Sequence, residues 1–170
     1  MKKDLIFTFV LFLIQCILVT TIKGFTYPLL LLFLVLGILT YISIIDWRTG
    51  LISVELNIGV FVLSALYAFF SSMSLKVIGI NFLCFVLPFI LIEAFFQLVI
   101  NKGKDPEKFL VGGGDIFLFA SMSMFLSTFG MMIMLFFACL FSLIAAKIIK
   151  KSLIHFAPFI QIGLLIALFF

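Results

Sequence analysis

Apolar runs about twenty residues long, with hardly a charge inside them, leave this chain few ways to fold. Seven can be marked, at about 4–22, 27–46, 53–72, 77–100, 112–127, 129–149 and 154–170. A helix needs roughly 17–25 apolar residues to cross a bilayer. Inside hydrocarbon a backbone must satisfy its own hydrogen bonds, which such runs achieve as helices. A membrane barrel would alternate apolar and polar residues instead. Charged residues make up 11% of the chain, against about 25% in soluble proteins. The expected fold is all-α: one polytopic transmembrane helix bundle of about six to seven spans, forming a single domain over residues 1–170, with the lipid bilayer as its surroundings. The fifth run is short and glycine-led, and with the sixth it can form one bent hairpin split at Ser127-Thr128-Phe129-Gly130. Pro88 marks a kink in the fourth.

Charge placement sets the orientation. With the N-terminus in the cytoplasm, the inner segments hold Lys2, Lys3, Arg48, Lys102, Lys104, Lys108, Lys147, Lys150 and Lys151, and the outer ones only Lys23 and Lys76. Nine against two is a strong positive-inside bias. The net charge of +4 therefore reports topology, and no nucleic-acid partner is expected. Met1-Lys2-Lys3 before an apolar run resembles a signal peptide, but Thr20 to Gly24 makes a poor cleavage site. The first run is read as an uncleaved span. Cys16, Cys84 and Cys139 lie singly in apolar runs and read as small buried side chains.

Against this background two acids stand out: Asp46, in Ile45-Asp46-Trp47-Arg48-Thr49-Gly50, and Asp115, in Gly112-Gly113-Gly114-Asp115. A carboxylate in a span costs roughly 2.5–3.5 kcal/mol on insertion scales. The orientation puts both aspartates at the cytoplasmic membrane surface. Glu55 and Asn57 open the third run on that side, Glu93 and Gln97 lie one helical turn apart in the inner half of the fourth, and His155 starts the seventh. A polar cavity facing the cytoplasm is expected, with Arg48, Glu55, Glu93 and Gln97 as candidates for lining it or touching a substrate. Gly112, Gly113 and Gly114 would let backbones approach and bring Asp115 to a neighbouring carboxylate. A phosphate loop is disfavoured, because the GxxxxGK[ST] spacing is missing. Two carboxylates close together cannot both ionise easily. One would take a proton from a water held between them while the other donates to a carbonyl oxygen, which is aspartic peptide hydrolysis. That chemistry needs no cofactor, and with one histidine in the chain no metal site is expected.

At these residues the chain resembles the prepilin peptidases, members of the GxGD intramembrane aspartic peptidases. The family's first motif is an aspartate ending a span, then a polar stretch and an Ile-Pro-Asn-like turn; here it reads Asp46 to Val54, with Ser53 and Val54 where Pro and Asn are usual. The second is GxGD before a helix of small residues, here Gly112 to Ala120, with Phe117 where a lysine often follows. A third likeness is His155-Phe156-Ala157-Pro158-Phe159, where the family often has Pro-Phe-Gly-Pro-Phe. The resemblance implies Asp46 and Asp115 as a catalytic dyad. It also implies type IV pilin-like precursors as substrates, cut after a short basic leader at the cytoplasmic face of the cell membrane. The chain is similar to the short members that lack a cysteine-bearing insert, so product methylation is not expected. Two other readings stay open at the level of sequence: a small ion-coupled transporter, with Glu93 nearest the midplane, and a precursor-binding assembly factor that does not cut. The filament system and the oligomeric state are not legible in the sequence.

Overall fold

A computed structural model describes residues 2–23, 27–50, 52–102, 112–149 and 155–170. Seven helices and no strand appear among them: α1 (Lys2–Lys23), α2 (Tyr27–Thr49), α3 (Val54–Phe70), α4 (Leu75–Asn101), α5 (Gly113–Ser123), α6 (Thr128–Ile149) and α7 (Ala157–Ala167). The expected all-α architecture is the observed one. Three helical stretches are long and apolar enough to cross a membrane: Leu29–Thr49 within α2, α4 and α6. The fifth run folds as an 11-residue helix, α5, only about 16 Å long at 1.5 Å per residue. A separate turn and Thr128 at the start of α6 divide it from the sixth run, where the sequence placed the bend. The polar loop expected over 101–108 lies outside the described residues beyond Lys102.

Helix α2 is the centre of the assembly. Half of its most apolar stretch is buried, against 11% for α4 and α6, and it packs against α1, α3 and α7. Leu32, Leu36, Leu39 and Ile42 repeat at helical spacing along its buried side. They meet a core built from Leu118, Phe119 and Met122 of α5, Met131 and Met134 of α6, and Ile160 and Leu164 of α7. The tightest approach is between α6 and α7, where a side chain on Gly163 would run into the Met134 carbonyl oxygen. Glycine is needed there for packing, as small residues are at helix crossings in membranes. Large apolar side chains such as Leu83, Leu91, Phe95 and Leu98 face outward along α4. That is the pattern of a helix whose solvent is hydrocarbon.

Pro88 acts through the turn before it. Residues Phe82–Val86 form one wide π-turn, and the Leu87 N–H reaches back to the Phe82 carbonyl. Proline has no N–H and its ring crowds the carbonyl four residues earlier, so an ordinary turn cannot close there. A second π-turn, Phe96–Asn101, ends the helix. Asn81, fully buried just before the first wide turn, donates its side-chain amide to the Ser123 and Leu126 carbonyls at 3.2 and 2.8 Å and so closes the C-terminal end of α5. Cys16 is half-buried, whereas Cys84 and Cys139 are exposed. The expectation that all three are core side chains is corrected: the latter two lie on outward faces, where a small apolar thiol is equally at home.

Candidate active site

Asp46 lies in the last full turn of α2 and is 4% exposed. The helix ends at Gly50, whose N–H bonds to the Asp46 carbonyl at 2.8 Å. Gly50 takes a left-handed conformation, φ +68°, the usual way for glycine to stop a helix. A side chain at Gly50 would also collide with the His155 ring, 2.7 Å from its Cε1. The chain then turns through Ile52 and Ser53 into α3. Ser53 caps that helix by accepting the Leu56 N–H, and its hydroxyl also bonds to Glu55.

Helix α7 begins with a vacancy in its own capping. Phe156 at its N-cap has no side-chain acceptor. The Asp46 carboxylate fills that role from another helix: Oδ2 accepts the Ala157 N–H at 3.2 Å. Its other oxygen, Oδ1, stands 3.7 Å from His155 Nδ1. Pro158 in the first turn of α7 needs no acceptor, as suits proline there. The aromatic contacts Trp47–Phe159 and Phe119–Phe156 hold this start of α7 against α2 and α5.

Asp115 enters from the opposite side, in the first turn of α5. Its backbone N–H bonds to the Gly112 carbonyl at 3.0 Å. Its carboxylate and that of Asp46 lie close enough for the charge of one to act on the other. Asp115 Oδ1 is buried with no hydrogen-bond partner. Asn57, on the first turns of α3 and 4% exposed, donates Nδ2 to the Gly114 carbonyl at 3.3 Å, and its own Oδ1 is likewise buried and unpartnered. A small cavity of about 110 Å³ opens here between Ile52, Asn57, Gly113, Gly114 and Phe117. Buried polar atoms almost always find partners; here one unpartnered acceptor, Asn57 Oδ1, belongs to a residue lining the cavity, and the other belongs to Asp115, next in the chain to its lining residue Gly114.

The three glycines do not share one reason. At Gly114 an added Cβ would lie 2.9 Å from Ile52 Cβ and 3.4 Å from Asn57 Nδ2, so only glycine lets α5 reach the α2–α3 turn. At Gly112 it would lie 3.2 Å from Asp115 Oδ2, crowding the acid itself. At Gly113 it would meet nothing. The expectation that all three remove side chains at a crossing is therefore corrected for Gly113, which lines the open cavity.

The model of the type IV leader peptidase family matches residues 32–147, well over half of the chain and inclusive of both aspartates. The chain belongs to the type IV leader peptidase family. It is thus a peptidase of a membrane-helix type. Neither curated proteins nor solved structures gave a match.

The other residues singled out in this leader peptidase separate into groups. Arg48 is exposed and, with Trp47, stands at one end of a second cleft of about 460 Å³ between α1, α2 and α7. Glu55 is exposed on the first turn of α3 and engaged by Ser53. Glu93 and Gln97 form a ladder along α4 with Asn101: Gln97 Nε2 donates to Glu93 Oε1 at 2.7 Å, and Asn101 Nδ2 to Gln97 Oε1 at 2.8 Å. Sequence reasoning placed Asn57 and His155 at the same end of the spans as the two aspartates but gave neither a part in the site. The signal was present: each is a polar side chain where an apolar run begins, and His155 sits in the Phe-Ala-Pro-Phe segment that the resemblance already marked.

Proposed function

We propose that this leader peptidase is an intramembrane aspartic endopeptidase. It removes the short basic leader of type IV prepilin-like precursors at the cytoplasmic face of the cell membrane, with Asp46 and Asp115 as its catalytic pair and residues 1–170 as one peptidase domain. The observation that supports this reading is that two carboxylates, sixty-nine residues apart in sequence, come within range of each other's charge, with Asp115 Oδ1 and Asn57 Oδ1 buried and unpartnered. The precursor's apolar helix would stay in the bilayer beside the spans, and its scissile peptide would reach the pair at the membrane surface. One carboxylate takes a proton from the attacking water, whose oxygen bonds to the peptide carbonyl carbon. The other gives its proton to the carbonyl oxygen. As the C–N bond breaks, the first proton passes to the leaving nitrogen and the second returns to its donor. No cofactor enters the scheme. Gly112 and Gly114 keep Asp115 in reach, and Asn57 holds the Gly114 carbonyl in place.

The test is co-expression with pilin-like precursors from the same genome, read by product mass. The expected result is a shortened precursor with the parent chain, and an intact one with Asp46→Asn or with Asp115→Asn. Cutting that survives either substitution would refute the aspartic mechanism. An intact precursor that co-purifies with the parent chain would favour a binding role instead.

A further inference from the structure

The two aspartates are held differently, and the difference comes from a part of the chain that the family match, ending at residue 147, does not reach. Asp46 is addressed on both oxygens by one short segment: Ala157 N–H on Oδ2 at 3.2 Å, and His155 Nδ1 at 3.7 Å from Oδ1. Both favour a carboxylate over a carboxylic acid. A helix N-terminus stabilises negative charge, and an imidazolium beside a carboxylate does the same. Asp115 also sits in the first turn of a helix, α5, but its Oδ1 is buried and receives no hydrogen bond. A carboxyl oxygen buried without a donor, within range of a second carboxylate's charge, favours the protonated form.

We infer that His155, together with the first turn of α7, fixes Asp46 as the charged, proton-accepting member of the pair and leaves Asp115 as the member that holds the proton. This rests on the peptidase reading above. His155 is a positioning residue: it acts on Asp46 and does not touch the reacting atoms. In the first step Asp46 takes the water proton and Asp115 gives its own to the carbonyl oxygen. In the second, Asp46 delivers that proton to the leaving nitrogen, and Asp115 recovers one from the intermediate's hydroxyl. Both acids end as they began.

Two features show that the place is shaped for this ring. Gly50 lies one turn beyond Asp46 and has no side chain where the ring rests, 2.7 Å from the position a Cβ would take. The ring is also 37% accessible. The ionisable side chains that act across this pair include His155, from the segment leading into α7, which acts on Asp46, and Asp46 itself, which acts on Asp115 of α5. Helix α3, packed on the third side, presents the neutral Asn57 to this region, and its Glu55 is exposed and bonded to Ser53.

The experiment has two arms. The first is the pH profile of kcat/KM for leader removal by the parent, His155→Gln and His155→Lys. Loss of the ring takes Nδ1 away from Asp46 Oδ1, so Asp46 should protonate sooner. The acid limb of His155→Gln should move up by about one pH unit, with the alkaline limb nearly unmoved, and His155→Lys should restore the acid limb. A uniform loss of rate at every pH in the Gln variant would mean a merely structural role and overturn the inference. The second arm needs no substrate and no His155 variant: infrared spectra of the parent, Asp46→Asn and Asp115→Asn in H2O and D2O near neutral pH. The stretch of a protonated buried carboxyl should vanish in Asp115→Asn and persist in Asp46→Asn; the opposite pattern overturns the assignment. Should the parent cut no precursor, the peptidase reading fails on the first arm, while the infrared arm still decides which acid carries the proton.

Discussion

Six residues apart on α2, Thr40 and Asp46 show two ways of keeping a polar group inside this bundle. The Thr40 hydroxyl is 2.7 Å from the Leu36 carbonyl and 3.1 Å from Gln15 Oε1, and it accepts Gln161 Nε2 at 2.6 Å. Three helices, α1, α2 and α7, are tied there, and the hydroxyl's bonding capacity is used within the protein. At Asp46 the same pair of helices, α2 and α7, meets again, but the neighbouring Asp115 and Asn57 keep buried acceptors without partners. Satisfied networks hold helices in place, while polar atoms left wanting in a well-packed structure are found where chemistry is done. An unpartnered atom is not by itself the mark of a site, since Ser43 Oγ on α2 and Asn81 Oδ1 of α4, at the end of α5, are unpartnered too; what sets the Asp46 end apart is that such atoms lie beside two carboxylates.

The contrast breaks most decisively if the aspartates prove structural. Asp46→Asn and Asp115→Asn should each lower leader removal by about 10²–10⁴-fold, the usual worth of a positioned acid or base, while the thermal melting of the purified protein changes little. Strong destabilisation with cutting preserved would place Asp46 in the same class as Thr40. Next in size is Gly114→Val. Its first added carbon falls 2.9 Å from Ile52 Cβ, so α5 must shift and carry Asp115 with it. A displacement of about 1 Å is worth on the order of 10²-fold in rate, to be read as kcat at saturating precursor.

Two further substitutions sharpen the scaffold side. Gly163→Val drives a side chain against the Met134 carbonyl and should destabilise the fold by about 1–3 kcal/mol, the usual range for overpacking, as followed by denaturant titration in micelles. Cutting per folded molecule should hold. Gln161→Leu removes the donor to Thr40 and should cost about 1 kcal/mol of stability, again with cutting retained. A loss of rate in Gln161→Leu out of proportion to its stability would show that the triad steers the start of α7, and through it Asp46.

Much of this was legible in the chain because hydrocarbon solvent imposes a coarse grammar. Runs of apolar residues had to be helices, and seven helices lie close to where those runs were marked. Asp46 and Asp115 were conspicuous because a carboxylate in such a run needs a reason. What could not be read was the fine placement of side chains. Glu93 and Gln97 could be placed on one face from their spacing, but not the bonds that join them to each other and to Asn101 along α4. The three glycines looked equivalent, whereas a Cβ would clash at one, crowd at the second and find open space at the third. The capping of α7 by Asp46 depends on where a helix 111 residues further on begins, and no local pattern carries that.

The wide turn ahead of Pro88 has a consequence for everything after it on α4. Each residue advances a helix by about 100°, so one extra residue in a turn swings the whole downstream surface round by about that angle. Asn81, before the wide turn, must face α5 to close its end. The Glu93–Gln97–Asn101 ladder, after it, points where the inserted residue sends it. Deleting one residue from Phe82–Val86 would leave both sets of side chains in the sequence but set them a quarter-turn out of phase, so α4 could present one to its partners only by turning the other toward lipid.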